Sequence, residues 1–249
     1  YAFGHIIRLK SIFELVDIAH TLELLCIERR RDMSPLWLSL WVASIALIIV
    51  ILSGLATCYW MNRCKWGGIA ILDALITLPL VLPPVVVGFA LLMVFTPGYA
   101  FGAWLEAHGM SVVFAASGAV IASSVIAFPL FYQTVRSALQ SVDHNMEDVA
   151  RTLGASELRI FFTISVPLAW KGILTGSILA FCRAMGEFGA TILIAGNIPK
   201  VTRTMPLAIY SYVEAGQYMD AFELVIYICV LTLALLSSYW NLMGLLGDY

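Results

Sequence analysis

Residues 37–59 read WLSLWVASIALIIVILSGLATCY, and no charged side chain interrupts the chain between Asp32 and Arg63. A helix rises about 1.5 Å per residue, so about 20 apolar residues reach across the roughly 30 Å hydrocarbon core of a bilayer. Backbone amides and carbonyls find no water there, so a run that crosses must pair them within a helix. This stretch therefore reads as a membrane-spanning helix, and the rest of the chain repeats the pattern. Ala74–Phe95, Val112–Val135, Leu168–Ile194 and Leu224–Leu246 give four more spans, the fourth interrupted only by Lys171, Arg183 and Glu187. Trp37, Tyr59, Trp66, Trp104, Tyr239 and Trp240 sit near span ends, where amphipathic rings anchor at the membrane surface. Composition agrees: 61% of residues are hydrophobic and 12% charged, against about 25% charged in a soluble domain. The expected fold is an all-α integral membrane protein with five transmembrane helices, or six if an N-terminal helix also enters the bilayer.

Several chemistries are set aside by the same reading. A net charge of −2 gives no basic field for nucleic acid or for polybasic attachment to lipid. Cys26, Cys58, Cys64, Cys182 and Cys229 are scattered without a C-x-x-C pair and read as free apolar thiols. His5, His20, His108 and His144 are dispersed, so no metal, cofactor or catalytic cluster is expected. Ser11–Ile27 has apolar residues at helical spacing but interleaves them with Glu14, Asp17 and Glu23. Acids are costly in a bilayer, so residues 1–33 read as an amphipathic or uncertain segment rather than a span or a secretory signal. Residues 34–249 then form one membrane domain.

Lysines and arginines in the loops set the orientation. Arg63 and Lys65 follow the first span, and Arg136, Arg151, Arg159 and Lys171 follow the third; the opposite side has only Lys200 and Arg203. This places the segment 136–171 in the cytoplasm. Arg29, Arg30 and Arg31 run against that count, because five spans put them outside.

The most polar stretch between two spans runs from Asp143 to Pro167, and its residues 143–164 are built as an elbow. Met146, Val149, Ala150 and Leu153 make one apolar stripe of a short helix, with Glu147, Asp148, Arg151 and Thr152 along its other side. Asp143 is placed to cap its start, and Gly154 to end it in a left-handed conformation. Ser156 is placed to cap a second short helix through Ile160, before Pro167 marks entry to the fourth span.

Here the sequence resembles the permease subunits of ABC importers, whose cytoplasmic signature runs E-A-A, three residues, G, nine residues, I-x-L-P. The chain reads Asp148-Val149-Ala150, Gly154, then Ile164-Ser165-Val166-Pro167. The spacing matches, with Asp for Glu, Val for Ala and Val for Leu. The resemblance implies a type I importer permease fold, and an elbow (Met146, Glu147, Asp148, Val149, Ala150, Leu153, Gly154, Ala155 and Ser156) that couples to a separate ABC ATPase subunit. A narrower resemblance, to the molybdate permease family, rests on LPLVLPPVVVG at 78–88, GEFGAT at 186–191, GNIP at 196–199 and TRTMPL at 202–207. It implies a homodimer in a bacterial or archaeal cytoplasmic (inner) membrane, fed by a periplasmic or extracellular oxyanion-binding protein. Sulfate and thiosulfate permeases share the GEFG and GNIP neighbourhoods, so molybdate, tungstate and sulfate stay open.

Within the spans, Pro79, Pro83 and Pro84 each remove a donor, so the helix must kink or open there. A static kink that aids packing and a moving gate both fit. Arg183 and Glu187 are four apart and can pair on one helical face. An oxyanion would be drawn by Arg183 and repelled by Glu187, which suits a conduit better than a tight site. Thr77, Ser123, Ser124 and Thr191 are neutral hydroxyl donors for such a path, although span hydroxyls often bond back to their own helix.

No G-x-x-x-x-G-K-[ST] occurs in the sequence, so ATP is expected on another chain and the subunit itself is expected not to be an enzyme. The alternative from a different class is an ion-coupled secondary anion carrier, which would need its own coupling-ion charges and repeated halves.

Overall fold

The computed structural model describes residues 35–63 and 67–247. The expectations for residues 1–33, including the Ser11–Ile27 segment and Arg29–Arg31, lie outside the described residues, as do those for Cys64, Lys65 and Trp66. Among the described residues all regular structure is helical. Helix α1 spans Pro35–Met61. It is followed by α2 (Ile69–Val81), α3 (Pro84–Phe95), α4 (Ala100–Ala107), α5 (Ala116–Gln140), α6 (His144–Thr152) and α7 (Glu157–Ile160). A π-helical turn (Phe161–Ser165) leads into α8 (Val166–Leu168), then α9 (Trp170–Met185), α10 (Gly189–Ile194), α11 (Met205–Glu214) and α12 (Tyr218–Gly247).

Three helices, α1, α5 and the Tyr218–Ser237 part of α12, are long and apolar enough to cross a bilayer unaided. Two bent helix pairs, α2 with α3 and Glu157–Leu168 with α9, pass the same test of length and apolarity together, and the count reaches the expected five if each pair is one span. The second span is where the structure departs most from a straight reading. It is not one helix over Ala74–Phe95: α2 and α3 meet at 113°. Pro83 forces the residue before it out of the helical region, and Leu82 is accordingly extended at ψ 143°. Pro83 is itself extended at ψ 134°, and Pro84 starts α3 at a position where a missing amide costs nothing. The two adjacent prolines therefore end one helix and begin another, which is more than a kink. Pro79, inside α2, is accommodated without a break.

The fourth span is likewise not continuous over Leu168–Ile194. α9 ends at Met185, and Gly186, Glu187 and Phe188 separate it from α10. Before α9, the arm Glu157–Leu168 comes in at 76°.

Two apolar clusters hold the bundle together. In one, Ala43, Ala46 and Val50 of α1 pack with Phe131, Tyr132 and Val135 of α5, Ala180 and Ala184 of α9, and Met205 and Ala208 of α11. In the other, Val42 of α1 meets Val87 of α3, Ala119, Ala122 and Ile126 of α5, and Ala190 and Ile194 of α10. The buried positions of α1 (Ser39, Val42, Ala43, Ala46 and Val50) recur at helical spacing, while Trp37, Ile48 and Leu52 face outward. Ser39 ties the face down by accepting a 2.7 Å hydrogen bond from the amide of Met205, one of the unpaired donors at the start of α11.

Candidate functional site

The elbow forms between α5 and the arm leading to α9. The Asp143 carboxylate caps α6 by accepting from the backbone amide of Asn145 at 2.9 Å. At the other end Gly154 has φ +81°, and two bonds close the turn, Ala155 N to Ala150 O at 3.1 Å and Gly154 N to Arg151 O at 3.0 Å. These are the paired bonds of a Schellman ending, which needs a left-handed residue at that place. Ser156 precedes α7 in extended conformation, but its hydroxyl makes no capping bond, contrary to expectation.

The two sides of the elbow are treated differently. Its polar side is bound to the body. Glu147 accepts a 2.6 Å bond from the Ser165 hydroxyl in the π-helical turn. Arg151 donates to Glu157 at 2.7 Å, pairs with Asp148, and has a nitrogen 3.5 Å from Glu147. Glu157 in turn pairs with Arg63, whose guanidinium lies 4.4 Å from the centre of the Tyr59 ring beyond the end of α1. The Glu157 carboxylate that accepts from Arg151 raises its pKa above the ordinary guanidinium value. The apolar side is left bare. Met146 is 54%, Val149 59% and Leu153 82% exposed, with Ala150 half-buried between them. These apolar side chains lie on an otherwise polar helix that is braced from behind, and they take no part in either apolar cluster.

The residues singled out inside the spans separate into two groups. Ser123, Ser124, Glu187 and Thr191 are buried at the junction of α5, α9 and α10. Ser124 bonds back to Val120 O at 2.7 Å, Ser123 reaches Ala184 O at 3.5 Å, and Thr191 Oγ1 has no hydrogen-bond partner. Arg183 and Glu187 approach to 2.8 Å, though Glu187 stands in the break after α9 and not on its helical face. The other Glu187 oxygen accepts from the amide of Ala190 at 2.8 Å, so one carboxylate neutralises Arg183 and satisfies a donor at the start of α10. α3 lies flat against α10 there: a Cβ on Gly88 would sit 2.6 Å from the Cα of Ala190. Pro83 at the break is exposed, whereas Pro79, Pro84 and Thr77 are half-buried. Thr77 bonds back to Asp73 O at 2.9 Å.

Thr77 belongs instead to a polar cavity between α2 and α5 that sequence reading misses. Asp73 of α2 lies 2.5 Å from Arg136 of α5 and accepts from the Tyr132 hydroxyl at 2.9 Å. Arg136 also donates to that hydroxyl at 3.0 Å. The cavity beside them holds about 530 Å³ and is lined further by Gln133, Ser137 and Gln140. Asp73 stands one residue before the expected second span and Arg136 one residue after the expected third, where Arg136 counts only as a loop cation. α5 in fact runs on to Gln140. The available signal was spacing: Tyr132 and Arg136, like Asp73 and Thr77, are four apart and share a helical face.

The loop after α10 is also tied down. Arg203 donates to Asn197 at 2.9 Å, Asn197 to Ser211 at 2.6 Å, and Thr202 accepts from the Ile198 amide at 2.9 Å.

Comparison with known proteins gives three kinds of match. The sequence model of the family described as "Binding-protein-dependent transport system inner membrane component" matches residues 50–243. The putative molybdenum transport system permease protein YvgM of Bacillus subtilis (strain 168) is 43% identical over 204 residues, covering 82% of this chain and 90% of that protein. The molybdenum transport system permease protein ModB of Escherichia coli (strain K12) is 42% identical over 206 residues, with the same two coverages. Among solved structures, a bacterial ABC transporter involved in import of the acidic polysaccharide alginate superposes with a TM-score of 0.69 at 14% identity, over 84% of this chain and 78% of that one. At that identity the likeness concerns the fold.

Proposed function

Because this chain belongs to the family of binding-protein-dependent transport system inner membrane components, we infer that it is the membrane-spanning permease subunit of an ATP-driven molybdate importer. Relatives above 40% identity across most of both chains are molybdenum permeases, which favours molybdate over sulfate and removes the reason for an ion-coupled carrier. The single observation that carries the mechanism is the elbow, braced to the body through Glu147, Arg151 and Glu157 and bare along Met146, Val149 and Leu153.

In this reading the bare face seats in a cleft of a separate ATPase subunit, and two copies of the chain enclose the pathway about a two-fold axis. The membrane is the cytoplasmic (inner) membrane, with residues 136–171 on the cytoplasmic side. A binding protein delivers the oxyanion at the opposite end, against the tied-down loop after α10 and the loop preceding α5. Closure of the ATPases on ATP pulls the elbow, and Glu157, Arg63 and Ser165 pass that pull to α1 and to the arm before α9. Coupling of this kind requires that the ATPase bind the two conformations with different free energies.

Uptake into liposomes carrying this chain with its ATPase, and supplied with its binding protein, tests the substrate. Labelled molybdate should enter only with ATP, and a tenfold excess of unlabelled sulfate should leave entry nearly unchanged. Equal competition by sulfate would move the assignment to a general oxyanion importer, and ATP-independent entry would remove the importer reading altogether.

A further inference from the structure

We propose that Arg136 and Tyr132 form a transient site for the transported oxyanion, with the Asp73 carboxylate occupying its donors when the site is empty; this deepens the importer reading and rests on it. The three groups are already arranged as an anion and its donors. Asp73 Oδ1 takes a contact at 2.5 Å from the Arg136 guanidinium and a 2.9 Å bond from the Tyr132 hydroxyl. Those two donors are what a tetrahedral oxyanion needs, a guanidinium edge plus a neutral hydroxyl. The guanidinium also has capacity left over: Arg136 Nε is buried without a hydrogen-bond partner, an arrangement that is costly unless another acceptor visits it.

The surroundings accommodate that visitor. The cavity of about 530 Å³ is many times the roughly 30 Å³ share of one water molecule, so a four-oxygen anion fits with part of its hydration. Gln133, Ser137 and Gln140 line it with uncharged polar groups. Asp73 is the freer of the two to yield its place, since its side chain is 36% exposed, whereas Arg136 is held more deeply at 23%.

The compensation by Asp73 is what makes the site suit transport. An arginine without a competing carboxylate would hold a dianion too long, and conduction needs binding strong enough to admit the ion and weak enough to release it. The resident carboxylate competes for the same donors and returns as the anion leaves. Its place in the fold couples this exchange to the elbow: Arg136 is on α5 one turn before its end at Gln140, and α6 begins at His144.

The permease–ATPase complex purified in detergent, without binding protein, tests this by equilibrium dialysis against molybdate, alongside uptake in liposomes. Asp73→Asn should bind molybdate at least tenfold more tightly than wild type and import it more slowly. Arg136→Gln should lose both binding and uptake by at least tenfold. Arg136→Lys keeps the charge paired with Asp73, and so keeps a structural tie, yet should still weaken binding because the Nε–H is gone. The exchanged pair, Asp73→Arg with Arg136→Asp, separates the alternatives where single variants assemble poorly. If it restores assembly without restoring uptake, the site stands. If it restores both, or if Asp73→Asn and Arg136→Gln lower stability alike and leave molybdate binding unchanged, the cluster is a structural latch and the site is refuted. Failure of the wild-type complex to import any tetrahedral oxyanion would instead remove the importer reading itself, and the site with it.

Discussion

Gly154 holds its φ of +81° with nothing within 4 Å of where a Cβ would stand, so a side chain there meets no neighbour and the whole effect of a substitution is conformational. The left-handed region costs an L-residue about 1–2 kcal/mol, least for asparagine and most for a β-branched residue. Gly154→Asn should therefore nearly preserve transport, Gly154→Ala reduce it, and Gly154→Val reduce it most, with the amount of inserted protein unchanged. Uptake rates that do not follow this order would separate the turn from coupling. Arg183 and Glu187 call for a different argument, because their burial is unequal. The Glu187 side chain is 1% exposed and that of Arg183 31%. Removing one partner of a buried pair costs about 3–5 kcal/mol when the charge left behind is uncompensated. Arg183→Met leaves the buried carboxylate with only the Ala190 amide, while Glu187→Gln leaves a cation that is already partly exposed. Thermal midpoints in detergent should fall by more for Arg183→Met than for Glu187→Gln; the reverse order would mean the pair is not what holds this junction.

At the level of elements, apolar length shows in the sequence and bends do not, for identifiable physical reasons. The straight spans, α1 and α5, were legible because their length and apolarity answer directly to bilayer thickness. The α6 helix was legible because Asp143, the stripe from Met146 to Leu153 and Gly154 all signal one short helix, and the structure shows its cap and its ending. The bent spans were not. Hydropathy cannot tell one helix of apolar residues from two, and only the adjacency of Pro83 and Pro84 pointed to the break, not to its 113°. The break after Met185 left less trace still, since it lies beside a tertiary contact, the approach of α3 to α10 at Gly88. That contact yields a sharp expectation. A Cβ at residue 88 would press on backbone atoms of Ala190 at 2.6 Å and 2.9 Å, which cannot give way as a flexible side chain would. Gly88→Ala alone should lower the thermal midpoint by several degrees, at a cost of about 1–3 kcal/mol for overpacking. An unchanged midpoint would show that α3 and α10 are not closely packed in the membrane. The same blindness to tertiary pairing hid Asp73 and Arg136, which lie far apart in sequence and at opposite ends of two different spans.

At the scale of the whole molecule, the proposed coupling makes the elbow a handle and the bundle its lever. α5 packs along α9 within one apolar cluster and touches α3 and α10 through the other, so a movement of α5 reaches both bent spans. At the elbow end the handle is attached by charge and by hydrogen bonds, through Arg63, Glu147, Arg151, Glu157 and Ser165. Exposed ion pairs of this kind are screened by water and salt and stabilise little, so their contribution is to position the elbow and not to hold the fold. The face they present, Met146, Val149 and Leu153, is more than half exposed, and substitution of exposed residues usually shifts stability by less than about 0.5 kcal/mol. That makes it possible to disable the handle without harming the lever.

The most direct measurement is therefore ATP-driven molybdate uptake, with co-purification of the ATPase, for wild type and for a variant combining Met146→Asp, Val149→Asp and Leu153→Asp. The variant should insert with an unchanged thermal midpoint, no longer retain the ATPase, and import at least tenfold more slowly. A variant that keeps its ATPase and its full uptake would contradict the proposed coupling.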